Sequence, residues 1–139
     1  MSTNAIRAAL ESRLGTWAAA RMPALRVAWQ NTNFTPANGE TYLAAFLLPA
    51  DTGSEDLNGD HRAYRGVFQV SITCPINAGA GAAFGIAAEL NTLFPVNGRY
   101  TSGSVTAQII GPASAGPGIS EPDRFTVPVS IPYRADTIG

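Results

Sequence analysis

The chain has 139 residues, 45% hydrophobic and 14% charged, with a formal charge of −1. All nine basic residues are arginine and none forms a basic run, so the electrostatic footprint of a nucleic-acid binder is missing. No apolar stretch reaches the about 18 residues a membrane span needs. The length suits one domain, 1–139, burying about 68–70% of the surface its unfolded chain exposes.

Thr3 or Asn4 is placed to cap a first helix that runs to about Ala20, with Ile6, Leu10, Leu14 and Trp17 on one stripe. Pro23 stops it. Residues 25–30, LRVAWQ, alternate as a strand, and TYLAAFLL, 41–48, is apolar on both faces, which marks a central or covered strand. A long polar loop, 49–63, leads into the strand YRGVFQVSITC, 64–74, with Phe68, Val70, Ile72 and Cys74 inward. A second helix, 82–94, buries Ile86, Leu90, Leu93 and Phe94. FPVNGRY reads as a turn into the strand SVTAQII, 104–110. A second long loop, 111–123, precedes the strand RFTVPVSIPYR, 124–134.

The order is α-β-β-β-α-β-β. It predicts an α+β fold: a two-layer sandwich with a mainly antiparallel sheet of about five strands and two helices on one face. In the last strand Pro128 and Pro132 share parity, so both missing N–H donors lie on one side. Leaving that side unpaired makes the strand an edge that resists addition of another strand. Two loops longer than about 12 residues in so small a chain suggest segments that meet a partner.

Several sites for chemistry arise. GAGAAFG, 79–85, has the spacing G-x-G-x-x-x-G, one residue too long for a dinucleotide fingerprint, and no lysine follows for a phosphate loop. The simpler reading is small residues that let a helix approach the sheet. Asp51, Glu55, Asp56, Asp60 and His61 gather in the first loop but do not alternate as a calcium loop requires. Such a loop is solvated, or it pairs with arginines of a neighbouring subunit, for which Arg62 and Arg65 are candidates. Cys74 is the only cysteine and His61 the only histidine. Cys74 falls on the inward face as a small hydrophobe, with no disulfide partner and no sign of secretion. Glu11 and Glu89 fall on helices that carry them to solvent. No catalytic, cofactor or metal site is expected.

The leading amphipathic helix, the YRGVFQVSI strand and the terminal VPVSIPYR strand, in this element order, resemble the tail terminator, or tail-completion, proteins of long-tailed bacteriophages and prophages. The resemblance runs over essentially the whole chain. It implies a structural subunit, not an enzyme, with no cofactor, made in the host cytoplasm and placed at the virion tail or neck. Copies would form a homohexameric ring that caps the tail tube, stops its polymerisation and joins the head connector. Partners would be the chain itself, the tube protein and the connector, with DNA passing through without specific binding. Subunit contacts would fall on the loops, at Asp51, Glu55, Asp56, Asp60, His61, Arg62, Arg65, Glu121 and Asp123. The alternatives are another neck or minor tail protein, or a small nucleotide- or metal-binding enzyme domain.

Overall fold

Ile6, Leu10, Leu14 and Ala18 recur at helical spacing, and all four are buried in helix α1, Ser2–Ala20. This is seen in a computed structural model that describes residues 2–22, 24–30, 32–37, 39–50, 61–76, 80–103, 105–122 and 124–138. After α1 the chain turns back, and the Leu25 N–H donates to the Ala18 carbonyl (3.0 Å). It then enters a short strand β1, Arg26–Ala28.

Strand β2, Tyr42–Pro49, lies parallel to β1, and residues 29–41 make the crossover that a parallel pair requires. β2 then pairs antiparallel with the long strand β3, His61–Pro75. Helix α2, Ala80–Leu93, buries Ala83, Ile86, Ala87 and Leu90. A hairpin follows, β4 at Arg99–Ser102 and β5 at Val105–Ile109, turning at Gly103 with φ +61°. The turn needs a left-handed backbone, which glycine adopts without a Cβ penalty. Two brief strands, β6 (Ser114–Ala115) and β7 (Ile119–Ser120), precede the final strand β8, Arg124–Ile138.

The sheet order is β1-β2-β3-β8-β5-β4, with β6 and β7 also paired to β8. Among the described residues this makes eight strands in one mixed, strongly curled sheet, a half-barrel. It is not the two-layer sandwich of about five strands that the sequence predicts. α2 packs on the central strands β3 and β8, whereas α1 touches β1 and β2 at one side of the sheet and β4 and β5 at the other. One helix reaches both margins only because the sheet curls around it.

The enclosed core joins α1 and α2 to inward residues of the sheet, including Leu43, Phe68, Val70, Ile72, Val129, Ile131 and Tyr133, each at most 1% exposed. Phe94 sits at its centre, edge-on to Phe68 (centroids 5.9 Å apart) and to Tyr100 (5.6 Å). Each such large apolar side chain contributes about 1.5–3 kcal/mol relative to exposure.

The greatest departure from expectation is β8. It is not an edge: β3 pairs with it along Arg124–Ile138, and β5, β6 and β7 share its other side. The parity argument holds, because odd-numbered residues serve β3. The proline side is nevertheless occupied. Ile110 N–H donates to the Pro132 carbonyl (3.1 Å), and Gly116 N–H to the Pro128 carbonyl (2.7 Å).

What accommodates the missing donors is a broken partner strand. The register slips by two residues between Ile109↔Tyr133 and Ser114↔Ser130, and by one more before Ile119↔Thr126. Such bulges leave positions where no proline N–H is required. A glycine stands against each ring: a Cβ on Gly111 would come within 3.0 Å of Pro132 Cγ, and one on Gly116 within 3.0 Å of Pro128 Cγ. Residues 111–123, read from sequence as a free loop, are largely laid along β8.

Candidate assembly surface

Inward residues of β3 and β8 fill the core, so residues of the opposite parity form the outer face of the half-barrel. Directly paired residues share a face, so this surface is read as rows running across strands. One row is Ala44–Ser71–Pro128, the next Phe46–Gln69–Ser130, and the next Leu48–Val67–Pro132. None of these residues is charged. Phe46 is 37% exposed, and Leu48 and Ile110 are each 47% exposed. Phe46 and Leu48 adjoin along β2, and adjoining exposed apolar groups can serve contact with another macromolecule.

One step further along the strands the chemistry changes. Arg65 of β3 is opposite Arg134 of β8, Arg134 is opposite Gln108 of β5, and Gln108 is opposite Arg99 of β4. Three guanidinium groups thus stand in one row over three strand spacings, about 14 Å.

Arg13 lies beyond it, across an open cleft of about 790 Å³ between α1 and β4 that Trp17, Arg99 and Tyr100 also line. Arg13 Nε and Nη2 donate to the Leu93 carbonyl (3.2 and 3.1 Å), and its guanidinium lies over the Tyr100 ring at 5.0 Å. The Tyr100 hydroxyl donates to that same carbonyl (3.1 Å). A cation at the carboxyl end of α2 is favoured by the helix dipole.

Two other arginines are committed to carboxylates. Arg21 holds Glu89 through two hydrogen bonds (3.0 and 2.8 Å), tying the end of α1 to α2. The sequence reading sends Glu89 to solvent, and its side chain is 41% exposed there while the bond to Arg21 pulls its pKa down. Arg26 grips Glu40 (2.7 Å to each oxygen), and Ala37 N–H donates to Glu40 as well (2.8 Å). These bonds, Arg26 first, hold the Glu40 carboxyl at about 2.

A folded-state pKa below the unfolded value favours folding at pH above the unfolded value. That contribution is lost as pH falls through about 2. Arg26→Gln should therefore move the Glu40 titration, followed by NMR, up toward the ordinary carboxylate range, with the Ala37 N–H still holding it somewhat low. An unchanged midpoint would refute the assignment of the shift to Arg26.

The residues expected from sequence to carry contacts fall unevenly. Asp51, Glu55, Asp56, Asp60 and Asp123 lie outside the described residues. His61 and Arg62 are the first paired positions of β3, opposite Ile138 and Thr137. Arg65 is exposed in the arginine row, and Glu121 is exposed where its N–H donates to the Arg124 carbonyl (2.8 Å). Sequence reasoning missed Arg99 and Arg134, since only the strand order brings them beside Arg65.

Cys74 is 1% exposed, and burial raises the pKa of its thiol, which keeps it protonated and unreactive. Gly81 and Gly85 have open space where a Cβ would stand, so neither is needed for close packing of α2 on the sheet. No group of three metal-ligating side chains occurs among the described residues. No helix of the described residues is long and apolar enough to cross a membrane.

The outer face thus carries exposed apolar side chains, with arginines in the neighbouring row. The chain belongs to the phage tail terminator family: the family model described as "Phage tail terminator protein" matches residues 5–133. It is accordingly a structural protein of phage tails. A solved structure similar to it shares 48% of its sequence and superposes with a TM-score of 0.85, covering 100% of this chain and 99% of that one. No curated protein matches the chain.

Proposed function

We propose that this chain is a ring-forming tail terminator. Copies assemble in the host cytoplasm into a homohexameric ring that caps the finished tail tube and stops its polymerisation. The ring's other face makes the joint to the head connector, and DNA passes through without sequence-specific contact. Asp51, Glu55, Asp56, Asp60, His61, Arg62, Arg65, Glu121 and Asp123 contribute contacts to neighbouring subunits or to these partners.

The family match over residues 5–133 carries this reading. The exposed Phe46, Leu48 and Ile110 support it, since an apolar face on so lightly charged a chain suits burial against other subunits. A ring follows when contact joins two different surfaces and the rotation closes.

The test is polymerisation of the tube protein of the same phage, imaged by electron microscopy, with and without this chain. Capping predicts shorter tubes with extra density at one end. Tubes of unchanged length and bare ends would refute it.

A further inference from the structure

We propose that the open cleft between α1 and β4 binds an extended, acidic peptide segment of another protein, which adds a strand to the edge of β4. The proposal goes beyond tail capping and holds whether or not the chain forms a ring.

The backbone of β4 supplies the first argument. β4 ends the sheet order β1-β2-β3-β8-β5-β4, so its far side has no strand partner among the described residues. The Gly98 carbonyl accepts from the Ile109 N–H of β5 (2.9 Å), and Tyr100 and Ser102 share its parity, so they too serve β5. The N–H and C=O groups of Arg99 and Thr101 therefore point away from β5, and both residues line the cleft. Such a row of donors and acceptors is a template for another strand. A peptide that adds there gains main-chain hydrogen bonds.

Charge supplies the second argument, independently. Arg13 and Arg99 both line the cleft, and no aspartate or glutamate stands among the described residues that line it. Arg99 is exposed and makes no hydrogen bond or ion pair with a described residue. Arg13 commits Nε and Nη2 to the Leu93 carbonyl, which leaves Nη1 for an acid. Glu89 lines an adjoining hollow beyond Arg13 and Trp17, but Arg21 already holds it. Two guanidinium groups in a cleft without acids are complementary to carboxylates, which a free arginine fork binds through paired hydrogen bonds. Trp17 and Tyr100 add aromatic surface for the side chains between those acids. A nucleic-acid backbone can meet the arginines, but it offers no alternating N–H and C=O groups to the strand edge, so the edge favours a peptide.

The probe is a fluorescein-labelled peptide with blocked ends, Thr-Glu-Val-Glu-Thr-Glu-Val, and its binding to the full chain is read by fluorescence anisotropy. Saturable binding is expected. Replacing every Glu of the peptide by Gln should weaken it about tenfold or more. N-methylation of one alternate set of its residues should do the same, and of the other set far less, because only one set faces β4. Arg99→Gln should weaken the Glu peptide about tenfold and leave the Gln peptide unchanged. Thr101→Pro removes an outward N–H without touching the β5 ladder, and it should weaken both peptides. Circular dichroism melts establish that the variants fold; should Thr101→Pro unfold, the N-methylated peptides carry the backbone half of the test.

Absence of saturable binding overturns the inference. Binding that tolerates both N-methylated sets overturns the added strand, and binding indifferent to Arg99→Gln overturns the cleft as its place. A duplex oligonucleotide that binds the native chain and is lost in Arg99→Gln, with the peptide unbound, overturns it in favour of a phosphate backbone. Assembly mass that falls in Arg99→Gln, again with the peptide unbound, gives the cleft to a second copy and also overturns it.

Discussion

Phe94→Ala should lower the unfolding free energy by about 3–5 kcal/mol, the range for removing a buried phenylalanine ring. Phe94 is fully buried just past α2, its N–H held by the Leu90 carbonyl (2.9 Å). Its ring meets Phe68 of β3 on one side and Tyr100 of β4 on the other. Tyr100 in turn underlies Arg13 of α1, so one deletion opens a cavity where both helices and both halves of the curled sheet converge. Against a total of about 5–15 kcal/mol for a typical domain, this is a fifth or more of the stability. Urea denaturation checks it: the midpoint should fall with the slope unchanged. A loss under about 1 kcal/mol would mean that the ring is not enclosed as described.

The second large effect comes from adding a single methyl group. A Cβ on Gly66 would lie 2.5 Å from the Leu48 carbonyl oxygen, 2.6 Å from the Tyr133 hydroxyl and 2.9 Å from Pro49 Cα. Two of these are backbone atoms of the paired strand β2 and cannot swing aside. Gly66→Ala must therefore push β2 from β3 or displace Tyr133, which is 1% exposed. Overpacking of this kind costs about 1–3 kcal/mol or more. Gly85→Ala is the contrasting case. Its Cβ would enter open space on the exposed face of α2, and replacing a helical glycine there should add about 0.5–1 kcal/mol. Thermal melts of the two variants should move in opposite directions. A shared direction would contradict the packing at Gly66.

Helical periodicity was legible because it is local. The stripe of Ile6, Leu10 and Leu14 and that of Ile86 and Leu90 are buried as expected, and the ends of α1 and α2 lie within two residues of their predicted positions. Strand alternation served equally well for β3 and β5, while β2, read as apolar on both faces and so central or covered, lies between β1 and β3 with Phe46 and Leu48 exposed.

The sheet's shape was not legible, and the prolines of β8 show why. Pro128 and Pro132 do lie on one side, but an absent N–H forbids only a regular partner. The segment from Ile110 to Ser120 is irregular: its register slips where the prolines stand, and Gly111 and Gly116 give their rings room. Those glycines were in plain view in GPASAGPG, where they suggested a loop. β4 was missed for a similar reason, since Gly103 compresses the hairpin and Tyr100 is its main inward side chain.

Of the arginine row, sequence reasoning named only Arg65. It could not supply the row, because Arg65, Arg134 and Arg99 come together only through strand order β3-β8-β5-β4. The blocked edge had been the sequence's own argument for self-limiting assembly. With β8 inside the sheet, that support is withdrawn.

Mass in solution tests self-assembly most directly. Native mass spectrometry of the purified chain over a range of concentrations, with negative-stain images of the same samples, should show hexamers and annular particles. Single-chain mass at every concentration, with no annuli even when the tube protein is present, would contradict the account.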